Sequence, residues 1–442
     1  MINWKTSVSE FKALERRLTS CSMFEHGWTL TSCAAGAIVI ALVLGTVLLC
    51  SGCGGGASSS SGVPQSGLAT PSPPSQINSY IGTTGDIWTS KINHTQNQIN
   101  GEDITLHGIQ LAGSVIGTFS PVGGFLDLDL TTVPTELTGQ TTGFALEIPG
   151  RAALVRYGDD TYPLIPLAPT NSCPIIGGTV TYNYVTIPGP TPAGGTPSWV
   201  PSIDSTYGTF QVTVNGSNWT FPNITQLTLT GGMPATPGSG LPAGYCGIGI
   251  TGYTVTASSS ATNPPVATVA MGFGPSGFFL EDNGSAQATP VGVVPSNALG
   301  AGVGAIGVIQ PSTALVTANV AGAKYLGFYY EPGITGGAPV SQLASFGCSG
   351  SSCPAPPAPT AMIGGVFPND DPTLPPGQDV TIDLGAQEAS NNGLYPLATI
   401  TVSGVSFPAA AVVGSLENKY AVFLIAEDTI NNVPLAIYLF QQ

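Results

Sequence analysis

Cysteines, carboxylates and two histidines are the side chains of this chain whose spacing could support chemistry. Beyond residue 150 the cysteines are Cys173, Cys246, Cys348 and Cys353. Four cysteines allow three pairings. Cys348 and Cys353 close a tight Ser/Gly loop, which leaves Cys173 with Cys246 across a long one. A chain-entropy treatment of that long loop gives roughly 4 kcal/mol of stabilisation, a model-dependent figure. A zinc site is the alternative, but it wants four closely grouped Cys/His ligands, and neither C-x-x-C nor a His pair occurs among these residues. His94 (in INHTQNQ) and His107 (in ITLHGIQL) have no G-x-S-x-G elbow to accompany them, so no Ser-His-Asp arrangement is assigned. Asp383-Leu384-Gly385 is the nearest string to an aspartic-protease loop and lacks the hydroxyl residue. No phosphate-cradling G-x-x-x-x-G-K-[ST] is present.

Carboxylates offer two further places. Asp127 and Asp129 fall on one face of a strand, about 7 Å apart at ordinary strand rise. That spacing could serve a glycosidase pair or a metal, or simply a wet strand face. Pro368-Asn369-Asp370-Asp371-Pro372, with Asp379 and Asp383 following, is the most acidic loop. Hard oxygen ligands of this kind suit calcium, although EF-hand spacing is absent, and a plain turn explains the same residues. Trp88, Trp199, Trp219, Tyr182 and Tyr184 could line a sugar-binding face or fill a core. No catalytic residue and no cofactor is assigned.

The elements that must carry these residues are strands. The chain is 442 residues with 42% hydrophobic and only 7% charged residues, 59 glycines and 39 prolines. Low charge with abundant Gly, Pro, Thr and Val signals short strands and turns. GFLDLDL (residues 124–130) alternates, with Phe125, Asp127 and Asp129 on one face and Leu126, Leu128 and Leu130 on the other, as in an antiparallel sheet with one dry face. Strands are also expected at 87–92, 104–111, 143–148, 179–187, 324–330, 379–384 and 398–402. A hairpin is expected to turn at Asn215-Gly216. Three stretches, 152–169, 274–295 and 420–440, share an apolar strand, an Asp/Asn/Gly turn, then a proline (Pro163, Pro290, Pro434) leading a second apolar strand. They read as a weak internal repeat. The last of them should lie inside a sheet, so deletion of Leu435–Gln442 should prevent folding.

Ahead of this body lies AAGAIVIALVLGTVLLCSGCGGG, residues 34–56. Lys5, Lys12, Arg16 and Arg17 precede it. The sixteen uncharged residues Ala34–Leu49 fall short of the roughly 20 that span a bilayer, and suit the apolar part of a signal peptide. An uncleaved single span or ordinary cleavage would also use such a run. Ser51-Gly52-Cys53 resembles the processing site of bacterial lipoproteins. Cys50 departs from that pattern, standing where the family usually has Leu. The resemblance implies that Cys53 becomes an acylated N-terminus. Several acyl chains would exceed the marginal binding that one chain gives. Gly54, rather than Asp, after the cysteine implies sorting to the outer membrane. The body resembles Gly/Ser/Thr-rich envelope lipoproteins of environmental Gram-negative bacteria, a likeness that implies no activity.

After the apolar run only five basic residues face 21 acidic ones. Phosphate neutralisation by Lys and Arg dominates nucleic-acid affinity, so nucleic acid is excluded as a partner. The expected partners are a membrane, through the lipid, and a glycan or a protein. Residues 1–52 read as signal peptide and 53–77 as a flexible Gly/Ser/Pro tether. Residues 78–195, 196–345 and 346–442 read as three β modules, of sandwich or barrel type. The function expected is that of a lipid-anchored envelope protein, periplasmic or surface-exposed, with a non-enzymatic binding or structural body. A carboxylate-dependent glycan or cell-wall hydrolase and a lipocalin-like carrier of an apolar ligand are the alternatives.

Overall fold

A computed structural model describes residues 76–83, 87–104, 110–133, 140–158, 160–166, 177–187, 207–215, 218–220, 227–228, 246–248, 254–257, 266–274, 276–282, 304–331, 340–347, 356–428 and 433–442. The described body is nearly all β. Its strands form two closed eight-stranded barrels and a nine-stranded sheet between them in sequence, and the strand pairings among the described residues are antiparallel.

The first barrel is a simple meander. It runs through β1 (Ile77–Thr83), β2 (Ile87–Asn93), β3 (Gln98–Ile104), β4 (Gln110–Val122), β5 (Phe125–Thr132), β6 (Thr142–Ile148), β7 (Ala152–Tyr157) and β8 (Asp160–Pro166). It closes where Ile81 pairs with Ile165. Aromatic and aliphatic side chains cluster in the interior. Trp88 sits 4.8 Å from Tyr162 and 5.6 Å from Tyr157, ring centre to ring centre, above Ile92, Ile99 and Val115. The alternation of β5 behaves as read. Leu126, Leu128 and Leu130 join this interior, while Phe125, Asp127 and Asp129 lie on the opposite face. The strand expected over 104–111 is instead a hairpin: β3 ends at Ile104, which pairs with Gln110 opening β4. Alternation continued across the break, so pattern alone did not reveal it.

The open sheet comprises β9 (Gly178–Ile187), β10 (Tyr207–Asn215), β11 (Asn218–Thr220), β12 (Leu227–Thr228), β13 (Cys246–Ile248), β14 (Thr254–Ala257), β15 (Val266–Phe273), β16 (Gly277–Asp282) and β17 (Gly304–Ile309). The expected hairpin pairs β10 with β11, Asn215 opposite Asn218 and Val214 opposite Trp219. Of the 274–295 stretch, Gly274, Ser276 and β16 are described and the rest lies outside the described residues.

A single helical turn, α1 (Thr317–Ala321), leads into the second barrel, packing Val320 into that barrel's interior. The barrel strands are β18 (Tyr325–Glu331), β19 (Val340–Phe346), β20 (Ala361–Val366), β21 (Val380–Asp383), β22 (Leu394–Val402), β23 (Val405–Leu416), β24 (Lys419–Asp428) and β25 (Val433–Gln441). The C-terminal strand does lie inside a sheet, since β25 pairs with both β24 and β18 and so closes the barrel. The Gly/Pro/Ser-rich residues 347–359 connect two strands of this same barrel.

Both faces of several second-barrel strands are dry. On β24, Val422, Leu424 and Ala426 point inward, while Ala421, Phe423 and Ile425 join a cluster outside. β25 divides in the same way, with Leu435, Ile437 and Leu439 inside and Ala436, Tyr438 and Phe440 outside. Strands buried on both faces read as continuous apolar runs, which is why YAVFLIA and PLAIYLF show little alternation. The outer cluster joins both barrels to the open sheet: Phe125 of the first barrel stands 5.9 Å from Phe328 and 6.0 Å from Phe367 of the second, and Val185, Ile306 and Val308 complete it.

Candidate functional site

The residues expected to do chemistry fall in separate places. Cys53, Cys173, Cys348 and Cys353 lie outside the described residues, as do His107 and Trp199. Cys246 opens β13, in register with Phe273. Three carboxylates of the acidic stretch, Asp370, Asp371 and Asp383, have hydrogen-bond or ion-pair partners. Asp370 Oδ1 accepts the Leu343 N–H at 2.9 Å, and its Oδ2 lies 3.2 Å from Arg156 Nη1. Asp371 Oδ1 accepts from the Thr373 hydroxyl (2.6 Å) and N–H (2.9 Å), which hold its pKa below the usual carboxylate range. The Asp379 carbonyl accepts the Ser403 N–H at 3.0 Å. Asp383 Oδ1 takes the Thr360 hydroxyl at 2.6 Å and the Gly385 N–H at 2.9 Å. Among the described residues no three His, Cys, Asp or Glu side chains are grouped so as to hold a metal ion.

Asp127 and Asp129 stay on the outer face of β5. Partial burial, and then the neighbouring Asp129 charge, push the Asp127 carboxyl up. The aromatics weighed as a sugar platform are core where their burial is described. Trp88, Tyr182 and Tyr184 are buried, and the Tyr182 ring lies 6.0 Å from that of Phe273.

One polar constellation was not anticipated. It is built on the first barrel from β1, the β2–β3 turn and β6. Glu147 sits on the Gly143–Ala145 face of β6, so strand alternation turns its carboxylate toward the barrel interior. Its side chain is only 6% exposed. Buried carboxylates require partners, and three are present. Tyr80 donates its hydroxyl to Glu147 Oε2 at 2.6 Å, Asn78 Nδ2 approaches the same oxygen at 3.5 Å, and His94 Nε2 meets Oε1. The Tyr80 hydroxyl in turn accepts the Gly150 N–H at 3.0 Å. Burial, reinforced by the Glu147 charge, raises the Tyr80 phenol well above its ordinary value, so it stays a donor. His94 is held by an edge-on contact with Phe119, ring centres 5.5 Å apart.

This arrangement ties β1, β6 and the β2–β3 turn together. The sequence carried a signal for it. In GFALEI (143–148) the glutamate breaks an otherwise apolar pattern on both strand faces, and a charged residue that interrupts two dry faces demands a partner.

No protein-family model matches the chain, and no curated protein matches it. Solved structures of transferrin-binding protein B are similar to it. A double mutant of that vaccine antigen from Haemophilus parasuis Hp5 is 8% identical, with a TM-score of 0.25, over 81% of this chain and 65% of that one. The isotype 1 protein of serogroup B Neisseria meningitidis is 10% identical, with a TM-score of 0.23, over the same shares. Intact Ap-TbpB, with its N and C lobes, is 7% identical with a TM-score of 0.21, over 84% of this chain and 77% of that one. The chain thus spans 65% of the length of the first two. Similarity at this level assigns no function.

Proposed function

We propose that the chain is a lipid-anchored envelope protein whose β body acts by binding or as structure, without enzymatic chemistry. The sequence supports the anchor: basic residues, an uncharged run, Ser51-Gly52-Cys53 and then a Gly/Ser/Pro tether. Acylation of Cys53 and sorting to the outer membrane belong to the same proposal, as do disulfides Cys348–Cys353 and Cys173–Cys246, which export would permit. The observation that carries the reading of the body is that the described side chains form a hydrophobic cluster inside each barrel. An eight-stranded barrel either fills its interior or holds one small ligand, and here large aromatic and aliphatic side chains occupy the space, which speaks against a carrier. Recognition then belongs to the outer surface, and a glycan or a protein is the partner class.

Mass spectrometry of the membrane fraction tests the anchor. The expected N-terminal peptide begins at an acylated Cys53, and an unmodified Cys53 or a retained Met1 would overturn it. Thermal-shift measurements of the detergent-solubilised chain with glycans, lipids and Ca²⁺ test the body. An apolar lipid that raised the melting temperature by many degrees would instead favour a carrier.

A further inference from the structure

The only arginines after the apolar run are Arg151, in the turn that leads into β7, and Arg156, on the outer face of that strand. Both are buried, with side chains 6% and 7% exposed. Between them Ala152 and Leu154 pack into the cluster shared with the second barrel. Each arginine meets a carboxylate from that barrel. Arg156 Nη1 lies 3.2 Å from Asp370 Oδ2 and donates to the Ser341 carbonyl at 2.8 Å, with its guanidinium 5.0 Å from the Phe144 ring centre. Arg151 Nη2 pairs with Glu417 Oε1 on the β23–β24 turn, and the Arg151 carbonyl accepts the Ser276 hydroxyl from the open sheet. The Nε atom of each arginine is buried without a hydrogen-bond partner among the described residues.

Two features make this more than packing. Residues 77–166 carry nine acidic and three basic residues, and residues 325–441 carry nine acidic and one basic. The barrels are therefore like-charged and repel over the Debye length. The two attractive pairs also stand at opposite ends of one strand, about 17 Å apart at ordinary strand rise. One pair would leave the barrels free to pivot; two fix their mutual orientation.

We propose that β7 is an electrostatic latch, in which Arg151 with Glu417 and Arg156 with Asp370 hold the two barrels closed against their mutual repulsion. The turn carboxylates are the releasable half, since Asp370 and Glu417 are 32% and 40% exposed. Replacing them by cations leaves each buried arginine facing a like charge, without touching either barrel interior.

Hydroxyl-radical footprinting of the detergent-solubilised full chain tests the latch. In the double variant Asp370→Arg/Glu417→Arg, oxidation of Phe125, Phe328 and Phe367 should rise at least threefold at low salt, while Trp88 and Tyr157 inside the first barrel stay protected. Adding Arg156→Asp to Asp370→Arg should restore protection relative to Asp370→Arg alone. Unchanged protection of the interface phenylalanines in the double variant would overturn the proposal, because apolar packing alone would then hold the barrels. Equal exposure of Trp88 and Tyr157, or failure of the charge exchange to restore protection, would overturn it too, because the pairs would then be general stabilisers and not a latch.

Discussion

Removal of Leu435–Gln442 should abolish the folded body, and the size of the effect follows from where β25 sits. This strand is paired along its length with β24 on one side and with β18 on the other. Its truncation opens the second barrel and leaves two unpaired edges. Leu435, Ile437 and Leu439 fill the interior, and Phe440 belongs to the cluster joining both barrels to the open sheet; all are at most 1% exposed. Large-to-small changes at such sites cost about 2–5 kcal/mol each. Losing four amounts to roughly 8–20 kcal/mol, before the lost ladder hydrogen bonds. Net stabilities of domains are about 5–15 kcal/mol, so the deficit exceeds what the remaining contacts can offset. The assay is near-ultraviolet circular dichroism with temperature, together with soluble yield. Ile437→Ala serves as the graded control, with an expected loss of about 2–5 kcal/mol and a lowered but cooperative melt. A truncated chain that melts cooperatively at the unaltered temperature would refute the account of the second barrel as a closed, interdependent unit.

Four other outcomes are expected. Tyr438→Phe removes a hydroxyl that is buried without a hydrogen-bond partner among the described residues and should stabilise by about 1 kcal/mol, read from the urea midpoint. Gly327→Ala places a methyl group 1.8 Å from the Tyr438 carbonyl oxygen across the closing seam, so it should eliminate soluble folded protein, as scored by yield and by the melt. Glu147→Ala strands the Tyr80 hydroxyl and His94 beside a vacated buried site, and should cost about 2–3 kcal/mol by urea unfolding. Burial pushes the Tyr184 phenol up to about 12, above its ordinary value near 10. Its contribution is therefore complete below pH 10 and is lost as pH rises toward 12, about 2 kcal/mol from this group alone; Tyr157 and Tyr182, raised further by burial, should steepen the alkaline loss seen in a melting-temperature profile.

What the sequence made legible was local, and what it hid was closure. The faces of GFLDLDL, the hairpin at residues 152–166 and the inward C-terminal strand all follow from period-two alternation and turn chemistry within a dozen residues. Closure depends on pairings such as Gly327 with Leu439 and Ile81 with Ile165, and no short window contains both partners. The same limit governed the charged residues. Asp370 and Glu417 sit in turns, where a carboxylate is ordinarily solvated, and nothing near them in sequence names Arg156 or Arg151 as a partner. The arginines themselves were the readable half. In a body with five basic residues, two that interrupt the apolar strand RAALVRY must either lie on a wet face or bring carboxylates to a dry one. The alternation of Ala152, Leu154 and Arg156 places that arginine on the face that packs against the second barrel, while Arg151 stands in the turn ahead of the strand. That reasoning makes a last demand. Arg156→Lys keeps the charge but loses the planar fork that reaches Asp370 and the Ser341 carbonyl together, so it should weaken protection of Phe367 in the footprint. If lysine protects as fully as arginine, simple charge neutralisation suffices and the geometry of the fork is irrelevant.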